Sequence, residues 1–187
     1  LFQDKEPRKY LLKRMQKKAI CAEIGVYKGE YSQKILQITQ PLKLHLIDPW
    51  QYQEDKMYQK ACYGQLSGGQ LLLEQKYENV VNQFAKEINL GQVVIHREYS
   101  NEIYSQFEDN YFDWIYIDGN HLYEFVKQDL ELYYDKVKKG GFITGDDYGK
   151  GGWWQGGVTK AVNEFIAQGG VKLVKISGDQ FILKKQG

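Results

Sequence analysis

Short apolar runs bounded by turn residues alternate with helical patterns along the whole chain, and several of these runs stop on an acidic residue. Such alternation marks successive βα units around a mostly parallel sheet, because parallel strands need long crossovers and helices must cover both faces. An opening basic helix is expected over roughly residues 4–18, then "AICAEIG" as strand one, "GEYSQKILQIT" as a helix and "LKLHLID" as strand two. Residues 49–69 lack a clear period and read as a long loop or broken helix. "LEQKYENVVNQFAKEIN" is helical, "QVVIHR" is strand three, "NEIYSQFED" a short helix and "FDWIYID" strand four. The next helix places Val126, Leu130, Tyr133 and Val137 on one face, with Gly140 set to end it. "GFITGDD" is strand five, "GGVTKAVNEFIAQGG" the last helix, and "VKLVKI" with "QFILKK" a closing antiparallel hairpin. Handedness rules then favour a doubly wound three-layer α/β sandwich, one domain over residues 1–187.

Composition excludes several partners. The chain has 187 residues, 42% of them hydrophobic, enough for one sizeable core. Its 25 basic residues balance 24 acidic ones, without a block of Lys and Arg dense enough to follow a phosphate backbone, so nucleic acid is not expected as a partner. The apolar runs are too short to span a bilayer and none resembles a signal peptide, so a soluble, cytoplasmic protein without a membrane partner is expected. Cys21 and Cys62 are too few for a disulfide framework and lie in no zinc-type cluster.

In open α/β sheets ligands sit beyond the carboxyl ends of the strands. "EIGVYKG" follows strand one, with Tyr27 where a dinucleotide-binding loop would carry its second glycine. Glu23 would repel a diphosphate but suit a cationic cofactor such as S-adenosylmethionine, whereas Gly25 allows close backbone approach and Gly29 opens the helix. A plain strand-to-helix turn with an exposed Glu accounts for the same residues. Asp48 ends strand two at the spacing where an acid accepts hydrogen bonds from a ribose diol.

Asp118 ends strand four, and Asp146 and Asp147 end strand five. If those strands are neighbours, about 4.8 Å apart, the three carboxylates share a rim and repel one another unless a divalent cation, magnesium by preference, relieves them. Consecutive strand residues face opposite ways, so Asp146 and Asp147 can both be ligands only if the strand has turned, for which Gly145 is a candidate; otherwise one of them caps the next segment. His121, three residues after Asp118, is either a polar first-turn residue or a general base for a hydroxyl held nearby. His45 and His96 lie inside strand patterns and read as structural.

"EIGVYKGEYS", "LIDPW", "IDGNHLYEFVKQDLELYYDKVKKGGFITGDDY" and "GGVTKAVNEF" together resemble class I S-adenosylmethionine-dependent methyltransferases, specifically the branch of metal-dependent macrolide-sugar O-methyltransferases and a related cephalosporin-biosynthesis protein. The resemblance runs from about Ala19 to Lys185 and is most specific from Asp118 to Tyr148. It implies a Rossmann-like fold, seven strands with the last antiparallel, and transfer of a methyl group from S-adenosylmethionine to a small-molecule hydroxyl. It also implies a cofactor site of Glu23, Gly25, Tyr27, Gly29, Asp48, Ser100 and Asp118, with Glu23 and Gly25 at the methionine end, Asp48 on the ribose and Ser100 near the adenine. Asp118, Asp146 and Asp147 match the metal carboxylates, although some relatives carry Glu at the position of Asp146; Asp118 and His121 form the catalytic pair, His121 as base. Residues 49–73 and 148–157, with their tyrosines and Trp153–Trp154, flank the expected mouth, where they face the acceptor, a neighbouring helix or a second copy of the chain. A nicotinamide-dependent oxidoreductase, disfavoured by Glu23 and Tyr27, a metal-independent methyltransferase and a non-catalytic cofactor-binding module are the alternatives.

Overall fold

The computed structural model describes residues 6–65 and 67–187. Its strands are β1 (Ile20–Ile24), β2 (Lys43–Ile47), β3 (Val93–His96), β4 (Phe112–Ile117), β5 (Val137–Gly145), β6 (Val171–Ser177) and β7 (Gln180–Lys185). They form one sheet in the order β3-β2-β1-β4-β5-β7-β6. β1 to β5 pair in parallel, while β7 runs antiparallel to both β5 and β6. The chain winds outward from β1 to β3 and then returns to lay β4 on the other side of β1. That reversal makes the carboxyl ends of β1 and β4 the topological switch point of the sheet, where open α/β sheets bind ligands.

The helices are α1 (Pro7–Arg14), α2 (Glu30–Thr39), α3 (Gly69–Gln83), α4 (Ala85–Asn89), α5 (Ser100–Ile103), α6 (Tyr123–Tyr134) and α7 (Gly157–Ala167). Alternate strand residues feed two separate cores. Ala22, Ile24, Ile115 and Ile117 pack with Val126 and Leu130 of α6 and Val158 and Val162 of α7. Cys21, Leu44, Leu46 and Trp114 pack with Leu11 and Leu12 of α1, Ile35 of α2 and Leu73 and Val80 of α3. A sheet buried on both faces in this way is the three-layer architecture expected from the sequence. No helix among the described residues is long and apolar enough to cross a membrane.

Some expected boundaries move. The opening helix spans only Pro7–Arg14, with proline in its first turn and Met15 extended; Asp4 lies outside the described residues. The helical stretch before β3 breaks at Phe84 into α3 and α4. α6 ends at Tyr134, and Val137 is the first residue of β5, paired with Phe112. Val137 is buried in the same core as Val126 and Leu130, which is why it falls on the helical period. The register then shifts between Phe112 and Trp114, and Gly140, at φ 76°, lies within this irregular part of β5 instead of ending a helix.

Candidate active site

The loop after β1 is shaped by three residues with positive φ: Gly25 at 89°, Tyr27 at 54° and Gly29 at 73°. Tyr27 thus takes the left-handed conformation usually left to glycine. Trp50 holds it there by donating from Nε1 to the Tyr27 carbonyl at 2.9 Å. Gly29 is the N-cap of α2, as the sequence suggested. Gly25 allows a close approach to another part of the chain: a Cβ there would lie 2.2 Å from the Asp118 carbonyl oxygen. Its amide also donates to the Ile47 carbonyl at 2.9 Å, so this glycine locks the ends of β1, β2 and β4 together.

Glu23 is 1% exposed, not the surface residue of a plain turn, and accepts a hydrogen bond from Ser32 Oγ of α2. Burial pushes its carboxyl up to about 8, with the charge of Asp118 acting in the same direction against the Ser32 bond. At neutral pH it is a buried acid that a cation would ionise.

Asp48 is also 1% exposed. Its Oδ2 accepts from the amides of Val26 at 2.8 Å and Tyr27 at 3.0 Å, and from the Tyr63 hydroxyl. Its Oδ1 accepts from the Trp50 amide at 2.7 Å. Burial pushes its pKa up against these bonds. Asp48 therefore ties the β1 loop to the segment after β2.

β4 and β5 are neighbours, and Asp118, Asp146 and Asp147 come to one rim. The turn in the chain comes at Asp147, with φ 59°, whereas Gly145 stays in the strand, where a Cβ would meet the Ile117 carbonyl oxygen at 2.5 Å. The three acids divide among Arg8, His121 and Lys150, whose Nζ lies 3.7 Å from Asp147 Oδ1. Arg8 of α1 donates from Nη2 to Asp118 Oδ2 at 2.8 Å and from Nε to Asp146 Oδ2 at 2.9 Å. Partial burial works against its charge, yet Tyr116, Asp118 and Asp146 together raise its pKa. Asp146 also accepts from the Gln180 side chain and from the Asp147 amide. On the other side His121 lies between Asp118 Oδ1, 3.4 Å from Nε2, and Asp147 Oδ2, 3.3 Å from Nδ1. Burial disfavours the imidazolium, but the two acids outweigh it and raise the His121 pKa. Burial raises the carboxyl pKa of Asp118 and Asp147. Ligand atoms of Asp118, His121 and Asp147 all lie within 4.8 Å of one another, and Nε2 is buried without a hydrogen-bond partner. Two sets thus converge around Asp147, one with Asp118 and His121 and one with Asp146 and Asp179, while Arg8 holds one oxygen of Asp118 and one of Asp146.

The residues expected to flank the mouth do pack over this corner. Trp154 stands edge-on to His121 at 5.0 Å between ring centroids, and Trp153 meets Tyr58 at 5.4 Å. Asn120 Nδ2 donates to the Tyr58 hydroxyl at 2.9 Å, and Trp154 Nε1 is buried without a partner. Ser100 begins α5 above β3, but its hydroxyl is given to the buried Asp129 of α6. Arg8, Tyr63 and Gln180 were not singled out from the sequence. Arg8 is 110 residues from Asp118, and only the docking of α1 reveals the pair.

A family model described as a methyltransferase domain matches residues 22–148, from β1 to just past Asp147. The chain belongs to this family. Solved structures share the methyltransferase's fold. The O-methyltransferase NovP superposes with a TM-score of 0.67 at 20% identity, covering 97% of this chain and 80% of that one. The O-methyltransferase TomG of Streptomyces achromogenes, solved in complex with SAM, gives 0.62 at 16% identity, covering 100% and 82%. An O-methyltransferase of Bacillus cereus, in complex with SAH, gives 0.64 at 13% identity, covering 100% and 83%. An uncharacterized protein of Acanthamoeba polyphaga mimivirus is 45% identical over 58 residues, 31% of the methyltransferase and 26% of that protein. The match therefore spans about a quarter of the viral relative's length.

Proposed function

We propose that the methyltransferase uses S-adenosylmethionine to methylate a hydroxyl of a small molecule, at the carboxyl ends of β1 and β4. The observation that carries this reading is the convergence of Asp118, His121 and Asp147 within 4.8 Å at the ends of β4 and β5, with β4 pairing β1, which carries the buried Glu23. One wall holds an acid able to neutralise a cationic cofactor and the other an imidazole able to take a proton from the acceptor.

S-adenosylmethionine supplies a methyl group on a positively charged sulfur, and a divalent cation, when bound, lowers the pKa of a neighbouring hydroxyl. Glu23, once ionised, balances the positive charge at the methionine end. Asp48 receives the ribose hydroxyls. Trp153, Trp154 and Tyr58 exclude water from the corner and hold the acceptor against His121. His121 takes the hydroxyl proton at Nε2, 3.4 Å from Asp118 Oδ1, while Asp147 Oδ2 orients the ring from Nδ1 at 3.3 Å. The rate comes mainly from orientation and electrostatics in a site partly closed to water.

The two carboxylates of this set, Asp118 and Asp147, fit a hard divalent ion such as magnesium, which prefers oxygen ligands, and leave the imidazole of His121 for the proton. Asp118 and Asp147 would hold it, and Asp146 would join once Arg8 releases its carboxylate. A panel of hydroxyl acceptors with labelled S-adenosylmethionine tests this function. His121→Ala is expected to lower kcat by roughly 10²- to 10⁴-fold with cofactor affinity unchanged. Turnover that survives both His121→Ala and chelation of metal contradicts the mechanism, and binding of NADH without S-adenosylhomocysteine contradicts the activity.

A further inference from the structure

We propose that the hydroxyl of Tyr63 is an internal stand-in for a cofactor ribose hydroxyl, and that Tyr63 sets cofactor affinity by competing for Asp48. This rests on the assignment of Asp48 to the ribose made above. Oδ2 of Asp48 already accepts from the Val26 amide, the Tyr27 amide and the Tyr63 hydroxyl, and Oδ1 accepts from the Trp50 amide. A carboxylate offers about four acceptor positions, two on each oxygen, so Oδ2, with three donors, is already crowded and a ribose hydroxyl reaching it must displace one of them. Three of the four donors are main-chain amides held by the fold; the one that can leave is the phenol. Like a ribose hydroxyl, it is a neutral O–H donor.

The placement of Tyr63 is built and not incidental. Its ring packs on Tyr27 at 5.6 Å, over the loop that the cofactor must meet. Its carbonyl accepts from the Gln53 amide at 3.1 Å. The Tyr52 hydroxyl donates to the Gly64 carbonyl at 3.1 Å. A Cβ at Gly64 would lie 2.2 Å from the Tyr58 carbonyl oxygen, so the turn after Tyr58 is closely wound. Tyr58 in turn faces Trp153 and Asn120 beside His121. Displacing Tyr63 therefore shifts the same turn that helps cover the acceptor corner, and the cofactor should bind before the acceptor.

Calorimetric titration of S-adenosylhomocysteine into the wild type and Tyr63→Phe tests the competition. The phenylalanine variant keeps the ring and loses only the donor. Its dissociation constant is expected to fall about tenfold, the worth of one hydrogen bond near the upper end of the usual range. Cys62 is exposed and Cys21 buried, so a thiol-reactive fluorophore on Cys62 reports the neighbouring tyrosine directly. Saturating S-adenosylhomocysteine should change its emission in the wild type. Unchanged or weaker binding by Tyr63→Phe, or a silent probe at saturation, overturns the competition while leaving the cofactor assignment standing. Failure of both proteins to bind S-adenosylhomocysteine overturns the two together.

Discussion

Two groups of acids on one rim are neutralised by different means. Asp48 is met by the amides of Val26, Tyr27 and Trp50, donors that the fold itself fixes. Asp118 and Asp146 are met by the guanidinium of Arg8, 110 and 138 residues away in sequence, and Asp118 and Asp147 by the ring of His121. Main-chain amides cannot leave without unfolding the loop, whereas a side chain can swing aside. The cofactor half is therefore held mainly by the framework, with the Tyr63 hydroxyl as the replaceable donor to Asp48, and the acceptor half is a set of charges held in balance by replaceable partners.

Gly25 joins the two halves, so it is the place where a small change does the most damage. In Gly25→Ala a Cβ meets the Asp118 carbonyl oxygen at 2.2 Å and the backbone must keep φ 89°. A loss of about 4 kcal/mol or more is expected from such a clash with backbone, measured by urea denaturation. Asp48→Ala comes next. It strands three amides, and with about 1–3 kcal/mol for each buried donor left unpaired a loss of about 3 kcal/mol is expected, together with loss of S-adenosylhomocysteine binding.

His45 is a control away from the rim. Its ring bonds His96 at 2.9 Å and Tyr111 at 3.1 Å, and burial, helped by His96, pushes its pKa down to about 3. The unfolded chain binds this proton near 6.5, so the stability that neutral His45 contributes is complete above that pH and is lost as pH falls toward 3. Between pH 7 and pH 5 the loss is about 2 kcal/mol, and His45→Gln should flatten that limb of the pH–stability curve. Arg8→Ala should have the smallest effect on folding, about 1 kcal/mol, because the Arg8 side chain is 41% exposed and the buried Asp146 keeps the Gln180 side chain and the Asp147 amide as donors. Millimolar magnesium should restore the Tm of this variant more than it raises that of the wild type. If Arg8→Ala costs more stability than Asp48→Ala, the contrast between a framework half and a replaceable half is wrong.

The acids at the strand ends were readable because each closes an apolar run, and a doubly wound sheet brings strand ends to one side. Gly29 as a helix cap was readable for a similar local reason. Val137 misled because a buried strand residue just beyond α6 happened to continue the helical spacing. The left-handed Tyr27 carries no local signal, since tyrosine rarely adopts that conformation, whereas Asp147 is of a type that does so more readily. Arg8 and Gln180 enter the site only through long-range packing. Tyr63 was one of several tyrosines in a stretch without period, and only its hydrogen bond to Asp48 separates it from the rest.

The central claim is that this site takes S-adenosylmethionine with Glu23 facing its positive end. It is tested most directly by titrating S-adenosylhomocysteine, which keeps the ammonium group, at pH 7 in buffers of different ionisation enthalpy. Free Glu23, at about 8, is mostly protonated there, so binding should release close to one proton in the wild type and none in Glu23→Gln. Binding without proton release, or no binding at all, would contradict the account.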